Sequence, residues 1–160
     1  MADHFPAEIH IGGPIPRDIL DELVKEIVAT EASLKGYSED TVTDESARKA
    51  FQEGKIIDLY DDQARYGSFE ELENFLVEHE IHFDRHHDSY CEYNAENVYC
   101  RGNQEILNRP SNQNGDVLIR RDDIMSILNN NALDNGGKLE ALAQLAEPPE
   151  TKQLEPIRFV

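Results

Sequence analysis

The stretch "IHFDRHHDSYCEYNAENVYC", Ile81 to Cys100, holds three of the six histidines, both cysteines and three of the six tyrosines. How it pairs with itself decides both the sheet and the candidate chemistry. Taken as a meander, it has two turns. Asp88-Ser89 closes the first, so that His87 faces Tyr90, His86 faces Cys91 and Arg85 faces Glu92. "NAEN", Asn94 to Asn97, closes the second, so that Tyr93 faces Val98, Glu92 faces Tyr99 and Cys91 faces Cys100. That turn lacks the Asn-Gly or Asp-Gly that fixes a two-residue hairpin. Its register therefore rests on an even loop length.

Side chains alternate between the faces of a strand. In this register His86, Cys91 and Cys100 lie side by side across three strands, with Asp84 and His82 along the same face. Thiolate, imidazole and carboxylate are all zinc ligands, which makes Asp84, His86, Cys91 and Cys100 a candidate metal set. The opposite face carries Ile81, Phe83, Tyr90 and Tyr99, a serviceable core surface. Two features limit the metal reading. His82 and His86 stand about 13 Å apart along one strand, too far to share an ion. Neither C-x-x-C nor H-E-x-x-H occurs, and a one-residue slip in either turn would scatter the set. The competing reading is a solvated polar face in which Arg85 pairs with Glu92, above two small reduced cysteines that are cross-strand neighbours.

Working upstream, "SFEELENFLVEHE" is the clearest helix: Phe69, Leu72, Phe75 and Leu76 line one face, and Ser68 with Glu71 has the spacing of a capping box. "KIIDLY", Lys55 to Tyr60, and "AEIHI", Ala7 to Ile11, read as strands. "GGPIP" breaks the latter, and Pro16 suits the first turn of a helix from about Arg17 to Leu34, stopped by Gly36. "ESARKAFQEG" reads as a short helix ending at Gly54. Downstream, "GNQEILNRPSNQNGD" reads as a loop. Two more helices follow, from about Asp122 to Asn130 and over "GGKLEALAQLAE".

This order predicts an α+β domain over residues 1–146, with a single mixed or antiparallel sheet and helices packed mainly on one face. A ferredoxin-like core with additions is one topology it admits. Residues 147–160 read as a Pro-containing linker, then a C-terminal tail or edge strand.

The chain has 160 residues and a formal net charge of −18, from 33 Asp+Glu against 15 Lys+Arg. Such an excess repels nucleic acid and anionic membrane alike. Residues 1–80 carry 20 of the acids and 7 of the bases. Asp58, Asp61, Asp62, Glu70, Glu71 and Glu73 gather where a strand ends and a helix begins, a candidate contact for a basic partner or a divalent cation. Acids in a first helical turn also stabilise the helix itself, and no EF-hand pattern is present. "HHD", His86 to Asp88, contains the His-Asp pair of helical metal phosphohydrolases, but among strand signals. "IGGPIP" lacks both phosphate-loop patterns, and no Gly-x-Ser-x-Gly elbow occurs.

No secretion signal and no apolar run of about 20 residues are visible, so the expected home is a reducing cytoplasm. The leading expectation is a small, acidic, bacterial-type protein that binds a protein with a basic surface, without a cofactor. Its sharper form is a nucleic-acid mimic that occupies the groove of a nucleic-acid-binding protein. The alternative is a zinc-binding protein or metal-dependent hydrolase centred on the segment from His82 to Cys100.

Overall fold

The alternation begun by "AEIHI" runs further than its pattern suggests. In the computed structural model, which describes residues 2–37, 41–112, 114, 116–146 and 152–160, strand β1 spans His4–Gly12. Its Phe5, Ala7, Ile9 and Ile11 are buried, while Glu8 and His10 face the other way. The other strands are β2 (Pro14–Ile15), β3 (Ser33–Leu34), β4 (Ile57–Arg65), β5 (His82–His87), β6 (Ala95–Cys100), β7 (Leu107–Ser111) and β8 (Arg158–Phe159). The helices are α1 (Leu20–Ala29), α2 (Asp44–Glu53), α3 (Glu70–Glu78), α4 (Arg121–Leu128) and α5 (Asn135–Ala146).

The main sheet has the order β3-β4-β1-β5-β6-β7, and its neighbours are all antiparallel. The α+β architecture with one main sheet is therefore as the sequence predicts. Because β1 runs antiparallel to both β4 and β5, those two are parallel to each other across it, with α3 between them in sequence. That is one split β-α-β unit, half of what a ferredoxin-like core contains; the other half is replaced by the meander β5-β6-β7. Helices α1, α2 and α3 bury Leu23, Ile27, Phe51 and Leu76 against Ile9, Leu59 and Phe83 of the sheet. They cover one face and leave the face of Glu8 and His10 half-exposed. No helix among the described residues is long and apolar enough to cross a membrane.

Several boundaries move for physical reasons. The first helix stops at Ala29 rather than Leu34: Thr30 Oγ1 donates to Ile27 O at 2.6 Å, and Glu31 takes φ 56°. Leu34, 2% exposed, instead pairs with Leu59 as strand β3. Burial against β4 outweighs helix propensity there. Helix α2 has the capping box that its sequence reading overlooked, Thr43 with Ser46, and ends at Gly54 in a left-handed conformation as expected. Ser68 does not cap α3. Its hydroxyl donates to Arg65 O, and the N-cap position falls on Phe69, whose N–H donates to Glu73 Oε1 at 2.9 Å. Glu73, not Glu71, reaches back. Part of the predicted loop 102–116 is strand β7, tolerated with Pro110 because β7 is an edge.

The largest correction concerns the opening stretch. β5 and β6 pair directly, Phe83 with Cys100, Arg85 with Val98 and His87 with Glu96. Residues 88–94 are not a strand between them. They fold into a tight turn in which Tyr90 and Tyr93 exchange backbone hydrogen bonds of 2.9 and 2.8 Å. Both rings pack on Phe5, with centroids 5.2 and 5.3 Å away. This contact across the fold draws the segment out of the meander.

Of the predicted linker and tail, residues 147–151 lie outside the described residues, and the end of the chain returns as an edge strand. β8 pairs in parallel with β2, and Leu154 and Ile157 are buried. The "GGPIP" break admits this segment. Gly13 N–H donates to Glu155 O at 2.8 Å, and a Cβ on Gly12 would lie 2.2 Å from that same oxygen.

Candidate functional site

The half-exposed sheet face gathers the polar side chains of five strands into two rungs. Tyr60, Glu8, His86, Asn97 and Arg109 follow one another across β4, β1, β5, β6 and β7. Asp58, His10, Asp84 and Tyr99 form the adjacent rung. The strand period of two places them there: each lies next to a buried neighbour such as Ile9, Ile11, Leu59 or Phe83.

Nearly every charge on this face has a local partner. His10 Nδ1 is hydrogen-bonded to Asp58 Oδ1, and its Nε2 lies 3.7 Å from Glu8 Oε1. Lys35 reaches Glu8 Oε2 and sits 5.8 Å from the centre of the Tyr60 ring. The ammonium holds the Glu8 carboxyl below the ordinary carboxylate value, against the opposing effect of burial. His86 has both nitrogens occupied, Nδ1 by Asn97 Oδ1 at 2.8 Å and Nε2 by Asp88 Oδ1 at 3.1 Å.

Asp84 Oδ1 lies 2.6 Å from Arg101 Nη1, off the line of a formed hydrogen bond, so charge holds the pair. The buried Arg101 guanidinium also donates to Lys152 O, Phe83 O and Cys100 O. It thus ties the C-terminal segment over the end of the sheet. Between that segment and the rungs lies a cleft of about 560 Å³, lined by His10, Asp58, Asp84, Tyr99, Arg101 and Lys152 among others. With Asp58 holding Nδ1, the Nε2 atom of His10 is the ring nitrogen open to a further hydrogen bond.

The candidate metal set is divided among three places. Asp84 and His86 are on the half-exposed face, two residues apart on β5. Cys100 is fully buried on the opposite face beside Phe83, where burial pushes its thiol up from the ordinary value. Cys91 is exposed in the 88–94 turn, with φ 50°. The two cysteines are therefore not cross-strand neighbours. His82 is half-buried at the C-terminal segment, its pKa lowered chiefly by desolvation and next by Arg101. Among the described residues no group of three His, Cys, Asp or Glu is placed to hold a metal.

The acidic candidates also separate. Asp58 belongs to the His10 pair. Glu73 points inward, 3.1 Å from Arg85 Nε. Asp61, Glu70 and Glu71 line a second hollow of about 290 Å³ with Glu26, at the N-terminus of α3, and Asp62 is exposed beside Asp61.

Two residues that organise this face escaped the sequence reading. His10 was visible only as a polar position in an alternating strand, and its partner Asp58 is 48 residues away. Arg101, just past β6, carried no pattern at all. No family model matches the chain, and neither does any curated protein or solved structure, so its fold and sites are read from its own residues.

Proposed function

We propose that the protein acts by binding another protein, one with a basic surface, through the acidic flank at the start of α3. One observation carries this reading. Glu26, Glu70 and Glu71 share a hollow with Asp61, and none of the three has an ion pair among the described residues. Some of the acids elsewhere meet cations, among them Glu8 with Lys35, Asp21 and Asp44 with Arg48, and Asp84 with Arg101. Carboxylates without an ion pair, in a hollow that Arg65 and His4 also line, on a chain of net charge −18 attract and orient a cationic partner. The reading places the protein in the cytoplasm, where Cys91 and Cys100 stay as thiols. In its sharper form the partner's basic surface is a nucleic-acid groove, which this flank occupies in place of the nucleic acid.

The test is capture on the immobilised full chain. A basic protein should be retained at low salt and released as salt screens the contact. Replacing Glu26, Glu70 and Glu71 together with Gln should weaken capture and leave the fold intact. Competition by duplex DNA for the captured protein would support the mimic form. Retention that survives both high salt and the triple substitution would refute the electrostatic reading.

A second reading rests on the half-exposed face, where Asp84 and His86 stand beside Glu8 and His10. It is a zinc-binding or metal-dependent hydrolytic site away from the cysteines, which side-chain movement on this face would have to close, since no three such ligands converge among the described residues. Titrating zinc into untagged protein while following the His10 and His86 ring resonances decides it. Unchanged resonances at stoichiometric metal would end it.

A further inference from the structure

The C-terminal segment stands as a fixed wall against the half-exposed sheet face. Arg101 Nε donates to Lys152 O at 2.9 Å, and Gly13 N–H donates to Glu155 O at 2.8 Å, so the residues between are held from both ends. Leu154, one of them, is buried. Between this wall and the rung of Asp58, His10, Asp84 and Tyr99 lies the cleft of about 560 Å³. A preformed hollow of roughly 300–1,000 Å³ with a few convergent polar groups is the usual seat of a small ligand.

The charges around the cleft indicate which ligand. Asp84 and Arg101 cancel each other within the protein. What remains for an occupant is a carboxylate on the sheet and an ammonium on the wall. Asp58 commits Oδ1 to the His10 ring, which leaves its second oxygen as an acceptor. Asp84 likewise has Oδ1 buried against Arg101, so Oδ2 is the oxygen that can accept. Lys152, which has no ion pair among the described residues, lines the opposite side. Ile56, Leu154 and the Tyr99 ring add apolar surface. An occupant with charge of one sign complements only one of the two sides. An anion is also repelled by a chain of net charge −18. A molecule that carries both charges complements both sides and meets no net repulsion.

We propose that this cleft binds a small zwitterion, a free α-amino acid with an apolar side chain, whose ammonium is held by Asp58 and Asp84 and whose carboxylate is held by Lys152. The open Nε2 of His10 lies between the two carboxylates, since β1 runs between β4 and β5, and is the group that senses the bound ammonium. The side chain of the ligand rests on Ile56, Leu154 and Tyr99. This inference does not rest on the acidic-flank reading, whose Glu26, Glu70 and Glu71 line the other hollow.

Titration of the full chain with L-leucine, followed by NMR in the presence of EDTA, tests it. The chelator keeps metal out, so the result is independent of the zinc reading. The ring signals of His10 and Tyr99 should shift and saturate. Isocaproate, which lacks the ammonium, and isoamylamine, which lacks the carboxylate, should each bind at least about tenfold more weakly, as the loss of one hydrogen-bonded charge implies. Lys152→Gln should weaken L-leucine but not isoamylamine. Asp58→Asn should weaken L-leucine and isoamylamine but not isocaproate. The Asp58 side chain is 39% exposed and Lys152 is exposed, so both variants should fold, which circular dichroism checks. No saturable shift up to millimolar L-leucine, an analogue that binds as tightly as L-leucine, or binding unaffected by both substitutions would overturn the proposal.

Discussion

On the helix-covered face of the sheet, Arg85 is 7% exposed at its side chain and holds Glu73 at 3.1 Å and Glu96 at 2.6 Å. On the half-exposed face, Lys35 is 46% exposed and holds Glu8, which is 30% exposed. Both are cation–carboxylate pairs on neighbouring strands and loops of one sheet, yet their surroundings give them different roles. Arg85 joins the start of α3 to β5 and β6, since Glu73 also accepts from Phe69 N–H and Glu96 approaches His87. Removing Arg85 leaves Glu73 and Glu96, 16% and 27% exposed at their side chains, short of a cation where hydration is limited. Breaking Lys35–Glu8 returns both groups to solvent. The covered pairs organise the fold, while the open ones can be exchanged for a ligand or partner at small cost.

The most damaging way to break this contrast is Arg85→Ala. It should lower stability by about 3–5 kcal/mol, read from the urea denaturation midpoint. A loss no larger than that of an exposed pair would mean the covered face is wetter than its burial indicates.

Acid should act on the same network. Contact with His87, and with Asn108 and Arg85 beyond it, brings the Glu96 carboxyl from the ordinary 4.5 down to about 2, against the effect of burial. A carboxyl with a depressed folded pKa contributes stability that is present above the unfolded value and lost as pH falls through the folded one. Stability should therefore decline between about pH 4.5 and 2, and Glu96→Gln should flatten that part of the profile. An unchanged acid limb in the variant would remove Glu96 from the account.

On the open face, Lys35→Ala should cost no more than about 1 kcal/mol and bring the Glu8 carboxyl back up, visible by NMR titration. The smallest expected effect is that of Ser68→Ala, within about 0.5 kcal/mol, because Glu73 rather than Ser68 closes the first turn of α3. A drop of the size of a lost N-cap, roughly 1 kcal/mol, would restore the capping box that the Ser68–Glu71 spacing suggests.

Local periodicity was enough to place β1, the start of β4 and the helices α2 to α5 to within a few residues, and to find α1, though not its end at Ala29. A period of two or 3.6 states directly which positions face the core. It also assigned α+β architecture, since helices between strands and a run of closely spaced strands leave few alternatives. The charge imbalance, and with it the expectation of a basic partner, needed no structure either.

Periodicity does not say which distant segment supplies the other half of a contact. That is where the reading of residues 81–100 failed. The turn was decided by Tyr90 and Tyr93 packing on Phe5, more than 80 residues earlier, so Cys91 left the sheet and Cys100 paired with Phe83. The same holds for Leu34, taken from a helix by Leu59, and for His10, which is held by Asp58. The sequence by itself determined which side of each element is apolar, because that is written in neighbouring residues. Only the tertiary structure decided which polar groups meet, because each such pair depends on a strand register set by packing elsewhere in the chain.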